Sequence, residues 1–507
     1  MLPVIGNGYQ EVRMFFRSIP GRVLLILLTV LIGLLAIGFI EQQSWPGRDW
    51  LQLFTFLFVL GGSYAALSWG QPANKKRLYL AGMSIMLITF LLAGTLAELA
   101  LRARVAFIPR QVMNALPGRG DYLRNDVFLF DEAPITVGRR FIPNQNAPIT
   151  GQAREILSWN SPSRFHYQPQ PEQIRLQFIT DENGYRNNPP LANHYPIVVG
   201  GDSFTAGMEV ETTWTQYLAE EMGQGVLNLG IPGYGPQAEA AAIRLYGLDK
   251  EPEVIIVAYF EGNDLRDAQS YDEAKAKNVS LNKGLADEAA WNRRLVTLTA
   301  VRVLAMNLAR LLGLRVEAGR EGGSLMAVYP AGATINGQEL SLTFLDGYVS
   351  MLTATKEDIE ASHNWQVAMA GLLEARQLAQ DSGAHFVLVY IPSKPHVYLP
   401  LLPAETANAI TSTAGRIILQ DGLLINDPAG NSLPFNHFLT HINDQATVLA
   451  NFAQSHNIQF LDLTPTFQAQ AAQGQTLYLS LSTHWNPAGH QLAAQTIAAL
   501  LRLTIGD

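Results

Sequence analysis

The chain of 507 residues has no cysteine. It therefore needs no disulfide, and its compartment cannot be read from redox chemistry. Charge is scarce too. Asp, Glu, Lys and Arg together make up 15% of the residues, against about 25% in ordinary soluble domains. The formal net charge is −8, which argues against nucleic acid as a partner. At this length two or three units are expected rather than one.

The missing charge is concentrated at the amino terminus. Residues 23–40, 51–69 and 78–97 are three uncharged apolar runs, each near the roughly 20 residues a helix needs to cross a bilayer. Residues 1–101 are thus expected to form three transmembrane helices, with the lipid bilayer as a partner. No small-residue cleavage site follows the first run, so a signal peptide fits poorly. Arg13, Arg17 and Arg22 precede the first run, and Lys75, Lys76 and Arg77 separate the second from the third. The positive-inside rule then predicts a multi-pass plasma-membrane protein with a cytoplasmic amino terminus, everything after Leu101 being extracytoplasmic.

Residues 102–190 are rich in Pro, Gly and Asn and read as a linker and irregular lead-in. Within them, residues 181–187 (Asp-Glu-Asn-Gly-Tyr-Arg-Asn) carry the signal of a plain turn. From Tyr195 the pattern alternates. Strands are expected at 197–200, 225–229, 254–260, 386–391 and 458–461, and helices at 213–222, 236–247, 365–380, 445–455 and from Pro487, capped by Asn486. Repeated βα units imply an α/β domain over 191–507 with a doubly wound, parallel five-stranded sheet. Strands apolar on both faces, such as Val254 to Phe260, suit burial between two helical layers. Insertions at about 265–362 and 400–444 interrupt the alternation and are placed at the rim. In the first, residues 295–314 are apolar but include Arg302 and Arg310. A fourth span would bury both charges, so packing against the domain is expected.

The chemistry gathers where strands end. An apolar strand runs into Gly200-Gly201-Asp202-Ser203, placing a hydroxyl at the carboxyl edge of the sheet, where α/β folds bind ligands. Gly230 follows the second strand, Asn263 the third, and His484 precedes the last helix. A serine needs a base, and imidazole serves near neutral pH. The Ser203 and Gly230 N–H groups and the Asn263 amide would hold an oxyanion. Singly, each has a plain structural alternative: Asn263 as a turn cap, Gly230 as an ordinary glycine. His484 and His490 are six apart, which is not zinc spacing on one helical face. The glycines at 230, 233 and 235 lack the dinucleotide pattern. No metal and no cofactor is expected. Lys394 and His396 read as part of a solvated loop, with contact to an anionic substrate as the alternative.

Taken together, Gly201-Asp202-Ser203, Gly230, Gly262-Asn263-Asp264 and His484 in Ser482-Thr483-His484-Trp485-Asn486-Pro487 resemble the SGNH, or GDSL-type, hydrolase family over roughly residues 176–504. Glu261 to Leu265 and Ile391 to Lys394 resemble its membrane-tethered bacterial branch. The resemblance implies a flavodoxin-like three-layer sandwich and serine esterase, lipase, deacetylase or acyl-transfer activity without a metal. It also implies roles: Ser203 as nucleophile, His484 as base, Gly230 and Asn263 as oxyanion donors. One departure stands out. The family places an aspartate two or three residues before the histidine, and here those residues are Ser482 and Leu481. A Ser–His dyad is expected, its ring oriented by a backbone carbonyl or Ser482 Oγ, or else Asp462 or Asp444 acts from a distance. Losing such an acid costs about 10⁴ in rate in the chymotrypsin example. Three functions follow. The first is a hydrolase of an ester or acetyl group on a glycan, lipid or small molecule. The second is an O-acyltransferase. The third is a catalytically silent subunit bound to partner proteins of a membrane assembly.

Overall fold

The computed structural model describes residues 71–103, 128–130, 136–152, 172–278, 328–427, 429–431 and 433–505, with isolated positions within 26–68 and 296–300. The chain divides into two compact units. One comprises residues 1–120 and 288–322, the other 121–287 and 323–507.

In the second unit five strands form one sheet. They are β1 (Ile197–Gly201), β2 (Val226–Asn228), β3 (Val254–Phe260), β4 (His385–Ile391) and β5 (Gln459–Asp462), in the order β5-β4-β3-β1-β2. Every pairing is parallel, as the βα alternation predicts. The seven helices that matter here are α1 (Ser203–Ala206), α2 (Trp214–Met222), α3 (Pro236–Ala242), α4 (Asp264–Ala276), α5 (His363–Ser382), α6 (Asp444–Ser455) and α7 (Pro487–Ile505).

Alternate residues of the strands enter two separate cores. Val198, Ile255, Val257 and Leu388 pack with α3, α4, α5 and α6. Ile197, Val199, Ile256 and Val389 pack with α2 and α7 on the other face. Successive side chains in a strand point to opposite sides, so a continuous apolar run fills both layers and the result is the expected three-layer α/β sandwich. The strand order reverses between β1 and its neighbours β2 and β3, and the site lies at that switch point. The rim insertions contribute an antiparallel hairpin, Val328–Ile335 with Gln338–Leu345, whose Tyr329 and Phe344 join the α2/α7 core.

The amino-terminal expectation needs correcting. Among the described residues no helix is long and apolar enough to cross a membrane. The third run lies in a helix of 31 residues, Ala73–Ala103, which opens on Asn74, Lys75, Lys76 and Arg77. Toward its end Glu98 is buried, and its carboxylate accepts hydrogen bonds from the Val296 N–H (3.0 Å), the Thr297 N–H (2.9 Å) and Thr297 Oγ1 (2.9 Å). The first two runs lie largely outside the described residues. The three-span membrane domain, the plasma-membrane placement and the extracytoplasmic side are therefore not retained. Residues 288–322 group with residues 1–120; the packing expected for 295–314 lies largely outside the described residues.

Candidate active site

β1 ends at Gly201, and the chain turns at once into α1, a single helical turn. Asp202 caps it: its Oδ1 accepts the Phe204 N–H at 2.9 Å. The turn closes at Gly207, which has φ +60° and where a Cβ would lie 2.8 Å from Thr213 Cγ2. Only glycine suits that combination. Ser203 is thereby fixed at the head of the turn, nearly buried, with Oγ donating to Asp202 Oδ2 at 3.2 Å. Burial pushes the Asp202 carboxyl up to about 7, against the opposing pull of the Phe204 N–H and the nearby His484 charge.

β2 braces this turn from beside. Asn228 Nδ2 donates to the Thr205 carbonyl (2.8 Å) and Thr215 Oγ1 (3.1 Å). Its Oδ1 accepts the Gly230 N–H at 2.8 Å. That bond occupies the one hydrogen the expected oxyanion donor has to offer. What demands glycine at 230 is close approach: a Cβ there would lie 2.6 Å from Thr205 Cβ and 2.7 Å from the Ala206 nitrogen. Asn263, half-buried after β3, donates one Nδ2 hydrogen to Asp267 Oδ2 at 2.7 Å. The second Nδ2 hydrogen, together with the Ser203 N–H, remains for an oxyanion. Asp267 is pushed up to about 6 by burial, with Arg139 and Arg266 pulling it back.

His484 sits on the loop before α7, buried, with the Phe204 ring edge-on to it at 5.3 Å between centroids. No carboxylate stands at 481 or 482, but one from elsewhere in the chain lies beside the ring. Glu209 Oε2 lies 3.1 Å from His484 Nδ1, and both side chains are 6% exposed. A proton on Nδ1 donated to that carboxylate leaves Nε2 as the acceptor a general base requires. Ser482 stands between them. Its Oγ donates to Glu209 Oε2, lies 3.2 Å from His484 Nδ1, and accepts the His484 N–H at 3.3 Å. The two remote candidates are engaged elsewhere: Asp462 caps the Thr464 N–H at 2.8 Å, and Asp444 pairs with His441 at 2.8 Å.

Two buried cations hold the loops that meet here. Lys394 is 2% exposed, and its Nζ donates to the carbonyls of Thr343 (3.0 Å), Leu479 (2.7 Å) and Ser482. It thus fastens the His484 loop, and neither solvation nor a substrate anion explains it. Arg186 donates to the carbonyls of Ala206 (3.4 Å), Val210 and Glu211 (3.1 Å), fastening the segment that carries Glu209. Burial lowers its guanidinium to about 10. Residues 181–187 are therefore more than a turn. His396 is fully buried. Burial pulls it down, but Glu261, 2.7 Å from its Nδ1, leaves it net raised. His490 accepts the Trp214 N–H at 3.1 Å and is pushed down to about 3 by burial, with Arg186 and His484 adding to the effect. It is a neutral structural histidine. No group of side chains suited to a metal occurs among the described residues.

Sequence reasoning missed Glu209 because its search for the acid ran toward the histidine. The available signal was an acid six residues past the serine, just after the αL glycine.

Residues 436–507 match a family described as the SGNH hydrolase-like domain of acetyltransferase AlgX. Comparison with curated proteins gives no match. Among solved structures, the lipase/acylhydrolase from Enterococcus faecalis is 10% identical, with 60% of this chain and 94% of that one covered and a TM-score of 0.26. BT4096, a gut microbial diltiazem-metabolizing enzyme, is 11% identical, with 61% and 47% covered and a TM-score of 0.29. The matched segment carries His484, and the strand ends before it carry Ser203 and Asn263 on a five-stranded parallel sheet, so over residues 436–507 the chain is similar to the SGNH hydrolase-like domain.

Proposed function

We propose that the chain is a serine acyl hydrolase that cleaves an ester or acetyl group through an acyl-enzyme on Ser203. The single observation that carries this reading is the buried imidazole of His484, its Nδ1 facing a carboxylate and its ring beside the nucleophile turn. A retired site would have no need to keep that pair buried together.

The reaction begins when the Ser203 hydroxyl turns from Asp202 toward His484 Nε2, which takes its proton as Oγ bonds to the acyl carbon. The carbonyl oxygen gains the negative charge, and the Ser203 N–H and the free Asn263 Nδ2 hydrogen are the donors suited to hold it. His484 returns the proton to the leaving oxygen, the ester C–O bond breaks, and the acyl group stays on Ser203. Water then attacks the acyl carbon, giving its proton to His484; the bond from that carbon to Ser203 Oγ breaks, His484 returns the proton to Oγ, and the carboxylic acid departs.

Transfer to a sugar hydroxyl in place of water is the second reading, favoured by the acetyltransferase description of the matched domain. The silent-subunit reading has the histidine–carboxylate pair against it. The test is labelling by a fluorophosphonate. The wild-type chain is expected to label, and Ser203→Ala to lose labelling entirely while its Tm changes little. A folded wild-type chain that never labels would sink the acyl-enzyme. With p-nitrophenyl acetate as donor, p-nitrophenol is released either way; free acetate as the only fate of the acetyl group means hydrolysis, and acetylated glycan in the presence of added glycan means transfer.

A further inference from the structure

We infer that Glu209 does the work of the aspartate missing before His484, acting on the imidazole from the nucleophile's own loop with the Ser482 hydroxyl as its brace. This rests on the proposed acyl-enzyme chemistry and deepens it. Glu209 is a positioning residue, since it touches the base and not the substrate.

Three observations carry the assignment. The carboxylate is within hydrogen-bond reach of Nδ1, at 3.1 Å. The residue at the position where the family keeps its acid, Ser482, has its hydroxyl bonded to that same oxygen. A side chain of two heavy atoms has replaced one of four, and the carboxylate of Glu209 enters where the longer side chain would end. Both loops are also held from behind by buried cations. Arg186 grips the carbonyls on either side of Glu209, those of Ala206, Val210 and Glu211. Lys394 grips the Ser482 carbonyl. The carboxylate is therefore delivered to the ring by fixed backbone on both sides, which is what preorganisation of a catalytic base requires.

The electrostatic consequence is specific. Ionised carboxylates favour a protonated neighbouring imidazole. Glu209 faces His484 at Nδ1, and Asp202 and His490 interact with it electrostatically. His490 is held neutral and adds no charge, and burial raises Asp202, whereas the Glu209 carboxylate is in bonding reach of the ring.

The experiment compares four full-length chains: wild type, Glu209→Gln, Ser482→Asp, and the double variant Glu209→Gln/Ser482→Asp. Two readouts are taken. One is the rate of fluorophosphonate labelling from pH 5 to 9; the other is the His484 titration followed by NMR of the ring. Glutamine keeps the size and the Ser482 bond but removes the charge. Glu209→Gln is expected to label about 10²- to 10⁴-fold more slowly, as when the triad acid is made an amide. The His484 midpoint should fall by about one to two pH units. In the double variant the acid returns at 482, and labelling should recover at least about tenfold over Glu209→Gln. Ser482→Asp alone should crowd two carboxylates and lift the midpoint. Wild-type labelling with an unchanged rate and midpoint in Glu209→Gln overturns this inference while leaving the acyl-enzyme intact. So does a slow Glu209→Gln whose midpoint is unmoved and whose defect Ser482→Asp does not repair, since that is a packing role only. If the wild-type chain does not label at all, the acyl-enzyme falls, and the NMR midpoint alone decides the pair: a shift supports the Glu209–His484 linkage and no shift overturns it.

Discussion

Ser203 rests with its hydroxyl on Asp202 rather than on a base. Asp202 has two tasks in one side chain: Oδ1 caps the turn and Oδ2 receives the hydroxyl. Burial raises its carboxyl from 3.8 to about 7, which has a consequence for stability. A folded-state value above the unfolded one means that the folded chain holds a proton the unfolded chain gives up. The contribution is fully present below about pH 4 and is lost as pH rises through about 7. Asp202→Asn keeps the cap to Phe204 and removes the titration. Relative to wild type its Tm is expected to climb between pH 4 and 8, by about 4 °C or more. A Tm difference that stays flat across that range would contradict the assignment, and calorimetry at four or five pH values suffices to see it.

Elements meet at this site through cross-braces rather than through the sheet alone. The sheet edge positions Ser203 and Asn263, because β1 and β3 end side by side, with Gly201 paired to Ala258. It does not position His484, which lies on a loop tied down by the Lys394 ammonium. Replacing Lys394 by Met keeps the bulk but strips the donors from the carbonyls of Thr343, Leu479 and Ser482. Unpaired buried acceptors cost about 1–3 kcal/mol each, so Lys394→Met should lose about 3 kcal/mol overall, read as a lower urea midpoint at unchanged slope. Labelling at Ser203 should slow in the same variant. Full stability in Lys394→Met would show that the loop closes without its cation.

At the scale of the whole molecule, the α/β domain is interrupted by a segment that belongs to the other unit. Residues 288–322 leave the domain in sequence and group with residues 1–120. Glu98 makes one of the ties, accepting from two successive backbone N–H groups and a hydroxyl at 296–297. That is the arrangement by which a carboxylate satisfies the orphan donors at a helix start. Glu98→Ala is expected to cost about 1–2 kcal/mol and to speed proteolytic cleavage within 288–322, with fluorophosphonate labelling unaffected. Cleavage at the wild-type rate would mean that other contacts carry the junction.

What the sequence by itself determined was the α/β domain. Two-faced apolar strands, a Pro-initiated last helix and capped turns are local patterns, and the five strands and the five expected helices lie within a few residues of their expected places, whereas Asp264–Ala276, read as part of an insertion, is also helical. Ser203, Asn263 and His484 were legible because they stand next to such elements. Gly230 was legible as a necessary glycine but not in its role, since whether its N–H is free depends on Asn228, two residues away but folded back onto it. The membrane expectation is not retained, since among the described residues no helix is long and apolar enough to cross a membrane. Only the tertiary structure could decide the partner of His484. Glu209 lies 275 positions away along the chain, in a segment with no periodic signal, brought to the ring by Arg186 and by Lys394 at the start of the short helix Lys394–Tyr398. Contacts of that kind are fixed by packing between elements, and no local pattern encodes them.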